Sequence, residues 1–217
     1  MDDLLKQQLQ HEFLEAMKAG SGRQADKVVE RALEADVTAN DIYLDIFQPT
    51  GYAVGRLWQS NQFSVAQEHL ATAIIEREMG DLHSYFRARG ERDRTLVIGC
   101  VEGEQHRVGV RMVADFFEQD GWTVYYLGAT VPTATFISMA KDVHADLIGL
   151  ASQLVYRVPA ILEFVRQLDA QGMGGVPIMV GGQAFVQQPD LYKSLGVRFT
   201  GADARAALHA ANTLLLH

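Results

Sequence analysis

The sequence predicts an α + α/β protein: a four-helix bundle followed by a parallel, five-stranded sheet covered by helices on both faces. Three observations predict it. The first 89 residues carry apolar side chains at helical spacing. A short polar, charged stretch, Gly90 to Arg94, interrupts them. Beyond it, strand-sized apolar runs alternate with helical ones, the pattern of a parallel sheet buried on both sides.

In the first half, Leu5, Leu9, Phe13 and Met17 recur every four residues on one face of a first helix. Gly20-Ser21-Gly22 stops it. Val28, Val29, Ala32 and Leu33 form the inward stripe of a second. Thr38 is the N-cap of a third, with Asp41 placed to favour the positive end of its dipole. Tyr43, Ile46, Phe47, Val54, Leu57 and Trp58 lie along it, and Pro49 with Gly51 is expected to kink or split it. Ser64-Val65-Ala66-Gln67 reads as a capping box opening a fourth helix that runs to about Ala88. Four amphipathic helices on short loops make a bundle over residues 1–89.

Residues 92–217 read as strands at Thr95–Val101, Thr123–Leu127, Asp146–Leu150 and Pro177–Val180, with a minor one near Val197–Thr200. Helices are expected at Val108–Gln119, Thr133–Val143, Pro159–Gln171, Pro189–Leu195 and Ala204–Leu215. In such Rossmann-like sheets ligands bind beyond the carboxyl ends of the strands.

Composition narrows the function. The chain has 217 residues, a formal net charge of −8 and no basic, aromatic-interleaved face of the kind nucleic acid demands. The single cysteine, Cys100, excludes an internal disulfide and fits a reducing cytosol. The polar start gives no secretory signal, and no apolar run reaches membrane-spanning length, so a cytoplasmic location is expected. No Ser-His-Asp, phosphate-loop or zinc-protease pattern is present.

Three segments fall on the ligand-binding rim. The first strand runs into Glu102-Gly103-Glu104-Gln105-His106-Arg107-Val108-Gly109. Imidazole is a good transition-metal ligand, and a carboxylate accepting its other N–H fixes the tautomer. Gly109 would let the next helix start close to a bulky group. The third strand runs into Ala151-Ser152-Gln153-Leu154 and the fourth into Val180-Gly181-Gly182-Gln183. Alone, each reads as an ordinary loop or turn. Their order and placement carry the signal.

Together the three segments resemble the cobalamin-binding domain of methionine synthases, mutases and corrinoid proteins, whose fingerprint is Asp-x-His-x-x-Gly, then Ser-x-Leu, then Gly-Gly. The resemblance covers residues 92–217. It implies a cobalamin bound with a histidine replacing the cofactor's own dimethylbenzimidazole, whose tail drops into a slot beside the sheet. His106 would then ligate cobalt, Ser152 would hydrogen-bond the tail and Leu154 would pack near it. Gly181 and Gly182 would leave it room. The usual aspartate is Glu104 here, which changes the geometry of histidine orientation.

In the first half, Trp58, nine intervening residues and then Glu68-His69 resemble the signature of cobalamin-dependent photoreceptors of the CarH/LitR type. That resemblance implies a helical bundle capping the upper face of adenosylcobalamin. Light would break the cobalt–carbon bond and rearrange a dimer or tetramer, or the binding of a regulator or output protein. It thus implies a sensor rather than an enzyme. Two departures stand out: no DNA-binding helix-turn-helix precedes the bundle, so no nucleic-acid contact is expected, and Gln59 stands where some members place a histidine. The alternative reading of the same architecture is a corrinoid methyl carrier of a methyltransferase system. A third is a sensor of heme or a bilin, instead of or beside cobalamin; it leaves the Ser152, Gly181 and Gly182 positions without a purpose.

Overall fold

The computed structural model describes residues 2–86, 90–199, 201 and 203–215. It divides into two compact units, Met1–Arg87 and Ala88–His217.

The first unit is helical. It contains α1 (Asp3–Lys18), α2 (Gly22–Glu34), α3 (Ala39–Ile42), α4 (Gln48–Gln59) and α5 (Val65–Leu82). A π-helical stretch, Tyr43–Phe47, joins α3 to α4, so these form the third helix of the four expected. Leu9, Phe13, Ala16 and Met17 of α1 pack inward with Val28 and Val29 of α2, Ile42 of α3, and Ile75 and Met79 of α5. The Thr38 hydroxyl accepts the Asp41 N–H, and Ser64 and Gln67 complete the capping box. Each such cap is worth about 1 kcal/mol.

Pro49 acts differently from expectation. It does not split the helix but sits in the first turn of α4, where its missing N–H costs least. The disturbance lies just before it, in the π stretch. Its presence leaves the Asp45 carbonyl without the N–H four residues on, and that oxygen accepts a hydrogen bond from the Gln10 side chain of α1 instead. The fourth helix ends at Leu82 and passes into a 3₁₀ turn, His83–Tyr85; its expected end at Ala88 lies outside the described residues.

The second unit holds β1 (Thr95–Cys100), α6 (Val108–Gln119), β2 (Thr123–Gly128), α7 (Thr133–Asp142), β3 (Leu147–Ala151), α8 (Val158–Ala170), β4 (Ile178–Gly181), α9 (Gln183–Gln187), β5 (Arg198–Phe199) and α10 (Ala204–Leu214). The five strands are parallel in the order β2-β1-β3-β4-β5. Apolar side chains leave both faces of the sheet. Val97, Ile148 and Val180 pack with Phe136 of α7 and Ile161 and Phe164 of α8. Leu96, Ile98 and Met179 pack with Val110 and Phe117 of α6 and Ala207 of α10. The expected helix at Pro189–Leu195 is a 3₁₀ stretch, Leu191–Leu195, and α9 was not foreseen. Both are too short to show a helical period.

The strand order reverses between β1 and β3. From β1 the chain moves outward to β2, then returns to β3 on the other side. A crevice at the carboxyl ends of the two strands flanking such a switch is where this architecture binds ligands.

One buried charge in the helical unit has a measurable consequence. Glu78 on α5 is 2% exposed, and Arg77 reaches its carboxylate at 2.5 Å while also pairing with Asp26 of α2. Burial outweighs that ion pair and pushes the Glu78 carboxyl up to about 7 from 4.5. Between those two pH values the folded state binds more protons than the unfolded one, so stability falls as pH rises through the window. Glu78→Gln stays neutral throughout. It is expected to melt a few degrees above the parent at pH 8, about 1–3 kcal/mol, and to match it near pH 4. Parallel melting curves against pH for the two proteins would refute this.

Candidate functional site

The carboxyl ends of β1, β3 and β4 carry the three segments singled out from the sequence. β1 ends at Cys100, and the loop after it turns at Gly103, whose φ is +80°. That left-handed φ is what favours glycine there; a Cβ would also come within 2.5 Å of the Arg157 guanidinium, which could swing aside. Upstream, the exposed Glu102 accepts hydrogen bonds from the N–H and hydroxyl of Thr133 at 3.0 and 2.9 Å. It thereby caps α7, whose own N-cap residue is Pro132. Those two bonds hold the Glu102 carboxyl below its usual range.

Glu104 is the centre of the site. It is 1% exposed, and both of its oxygens are used. Oε1 accepts from the backbone N–H of Gln105 at 2.9 Å, the N–H of His106 at 3.1 Å and the His106 ring Nδ1 at 2.5 Å. Oε2 accepts from the backbone N–H groups of Gln153 and Leu154 at 2.9 and 3.3 Å. Burial alone would raise this carboxyl. The bonds from His106 and Gln153 overcome it and hold Glu104 at about 2.

The geometry therefore ties the loop after β1 to the loop after β3 through one side chain. The longer glutamate spans both loops and still reaches the imidazole. The sequence reading assigned it the histidine alone and missed the second oxygen, because a contact across 49 positions leaves no local trace.

His106 projects from this anchor with its side chain 44% exposed. With Nδ1 held by Glu104, Nε2 is the nitrogen a metal would take. Cys100, the other soft donor nearby, is unsuited to that role. It is 1% exposed, its Sγ lies 3.6 Å from the His106 carbonyl oxygen, and burial pushes its thiol up to about 12. Gly109 is the second residue of α6, and a Cβ there would meet nothing within 4 Å.

Ser152 is fully buried, and its hydroxyl donates to the Leu154 carbonyl at 3.1 Å. Leu154 is half-buried. Gly181 ends β4, and Ser152 N–H donates to its carbonyl at 3.0 Å. Gly182 has φ +102°, and a Cβ there would stand 2.3 Å from the Ser152 carbonyl oxygen. The nearest reason for glycine at 182 is thus the chain's own backbone, where the sequence reading had placed a cofactor tail.

The donor set fits a corrin-bound cobalt. An imidazole is presented at a sheet switch point, its Nδ1 fixed by a buried, ionised carboxylate. On the same rim, the pairing of Ser152 with the end of β4 is close enough to admit only glycine at 182.

Trp58, Glu68 and His69 belong to the helical unit. Trp58 lies in the last turn of α4 and is 40% exposed. Glu68 and His69 open α5, and the Glu68 carboxylate meets His69 Nδ1 at 2.5 Å and the Thr72 hydroxyl at 3.0 Å. These are contacts of a helix's first turns, favoured by its dipole. No helix among the described residues is long and apolar enough to cross a membrane.

Glu104→Ala is expected to cost the unliganded protein about 3 kcal/mol at pH 7, because buried N–H donors on two loops lose their acceptor together. Glu104→Gln should cost less, since it keeps one of two acceptor oxygens. Urea denaturation of the three proteins measures this; equal midpoints would contradict it.

Comparison with known proteins agrees with this geometry. The family profile described as B12 binding domain matches residues 94–209, and a second profile of the same description matches residues 9–82. The dimethylamine corrinoid protein 3 of Methanosarcina mazei is 33% identical over 93 residues, 42% of this chain and 56% of the relative. The matched stretch thus spans about half of that relative's length, and 44% of the dimethylamine corrinoid protein 1 of Methanosarcina acetivorans. The dimethylamine corrinoid protein 3 of Methanosarcina acetivorans is 25% identical over 210 residues, covering 96% of this chain and 97% of that protein. The fold is shared with the monomethylamine corrinoid protein of Methanosarcina barkeri at a TM-score of 0.79 and 16% identity, over 95% and 99% of the two chains. These relatives overturn the light-sensor reading: a likeness running nearly end to end leads to a dimethylamine corrinoid protein rather than to a photoreceptor. The Trp58 and Glu68-His69 spacing carried that reading, and helix-start chemistry accounts for the Glu-His pair. With the histidine loop, the serine loop and the glycine pair all inside the matched stretch, the chain belongs to the B12-binding family.

Proposed function

We propose that this chain is a corrinoid methyl carrier, the cofactor-holding component of a methyltransferase system. The observation that carries it is the Glu104 anchor: a buried carboxylate that fixes His106 and ties the loops after β1 and β3. Its likeness to corrinoid proteins named for dimethylamine and monomethylamine supplies the class of reaction. A bound cobalamin supplies a cobalt centre that takes up and gives up a methyl group. The residues of this chain supply the setting. His106 would hold the cobalt through Nε2, and Glu104 would orient its imidazole and balance charge on the ring. Ser152, Leu154, Gly181 and Gly182 line the slot for the nucleotide tail.

Such a protein carries the group and does not itself select the methyl donor, so it works with a separate methyltransferase. A solved structure of similar fold, a methanol:cobalamin methyltransferase complex from Methanosarcina barkeri, contains that kind of partner (TM-score 0.52, 18% identity). The methyl donor proposed is a small methylated amine, by likeness to the named relatives. The cofactor proposed is a cobalamin alone. The adenosyl group belonged to the sensor reading, and the likeness to B12-binding domains and corrinoid proteins favours a cobalamin over a heme or bilin.

The test is reconstitution. The protein is loaded with hydroxocobalamin, reduced, and mixed with a methylamine methyltransferase and dimethylamine. About one demethylated amine is expected per bound corrinoid, and none with His106→Ala. No demethylation with dimethylamine, monomethylamine or methanol, each with its own methyltransferase, would overturn the proposal.

A further inference from the structure

Gln153, in the serine segment, hydrogen-bonds to both of the other segments of the site. Its backbone N–H donates to Glu104 Oε2 at 2.9 Å. Its side-chain Oε1 accepts the Gln183 N–H at 3.3 Å, at the start of α9. It follows Ser152, whose carbonyl oxygen receives the Ala184 N–H at 3.4 Å and bars any side chain from position 182. The N-cap of α9 is Gly182, which has no side chain to satisfy the helix's first N–H groups. Gln153 provides that acceptor from the neighbouring loop.

From this we infer that Gln153 is a positioning residue for cofactor selectivity: beside the backbone bonds that join Ser152 to Gly181, its side chain fixes the turn from Gly182 into α9 and so trims the slot for the nucleotide tail. The inference rests on the proposed tail slot. It separates two effects within one residue. The backbone bond to Glu104, and with it the orientation of His106, survives any ordinary substitution at 153. The side-chain bond does not. A change at 153 therefore alters grip on the tail and leaves the histidine ligand in place.

The test compares two probes, hydroxocobalamin and cobinamide, which lacks the nucleotide tail. The full chain is titrated with each and followed by absorption. The parent should prefer hydroxocobalamin. Gln153→Ala should weaken hydroxocobalamin binding roughly threefold to tenfold, the loss of one neutral hydrogen bond, and leave cobinamide binding unchanged. The absorption spectrum of the bound histidine-ligated form should not move. Gln153→Glu, which keeps an acceptor oxygen, should restore the preference. A parent that does not distinguish the probes overturns the tail slot, and this inference with it. A parental preference that survives Gln153→Ala overturns this inference alone, as does an equal loss for both probes accompanied by a lower melting temperature.

Discussion

The site depends on one carboxylate accepting five N–H groups in a place shut off from water. Glu104 could not be buried there as a lone charge; desolvating an unpaired carboxylate costs several kcal/mol. Its hydrogen bonds keep it ionised and turn a liability into an organiser. Because three donors come from the loop after β1 and two from the loop after β3, neither loop can shift alone. His106 inherits that rigidity. A ring held at Nδ1 by a fixed anion has one tautomer and one orientation to offer a metal.

The sheet puts the carboxylate where it can do this. β1 and β3 are neighbours flanking the topological switch, so their carboxyl ends open side by side into one crevice. β4 adds the glycine pair one strand further along. The apolar runs that bury both faces of the sheet fix the register of these strands, and the register brings residues 104, 152 and 182 to one rim. Packing in the core thus determines chemistry at the edge, although no core side chain takes part in it.

Much of this was legible in the sequence. Strand and helix alternation, the caps at Thr38 and Ser64, and the histidine and serine segments follow from local patterns. What stayed hidden is mostly non-local. The second oxygen of Glu104 and the amide of Gln153 act across loops far apart in the chain, and no spacing rule reveals such a bond. Pro49 with Gly51 reads as a kink or split because the sequence does not show that Gln10 takes over the Asp45 carbonyl. Trp58 and Glu68-His69 misled for a different reason. A glutamate at a helix start has its own physical explanation, and here it meets the imidazole beside it and the Thr72 hydroxyl one turn on.

The central claim is that His106, oriented by Glu104, is the lower ligand of a bound cobalamin. Electron paramagnetic resonance of the reduced, cobalt(II) form tests it directly, with the protein labelled uniformly in histidine with nitrogen-15. Each cobalt line is expected to split into two rather than three, because the coordinating nitrogen then comes from the protein. Unchanged three-line splitting would mean that the cofactor's own base remains on the metal, and would contradict the account.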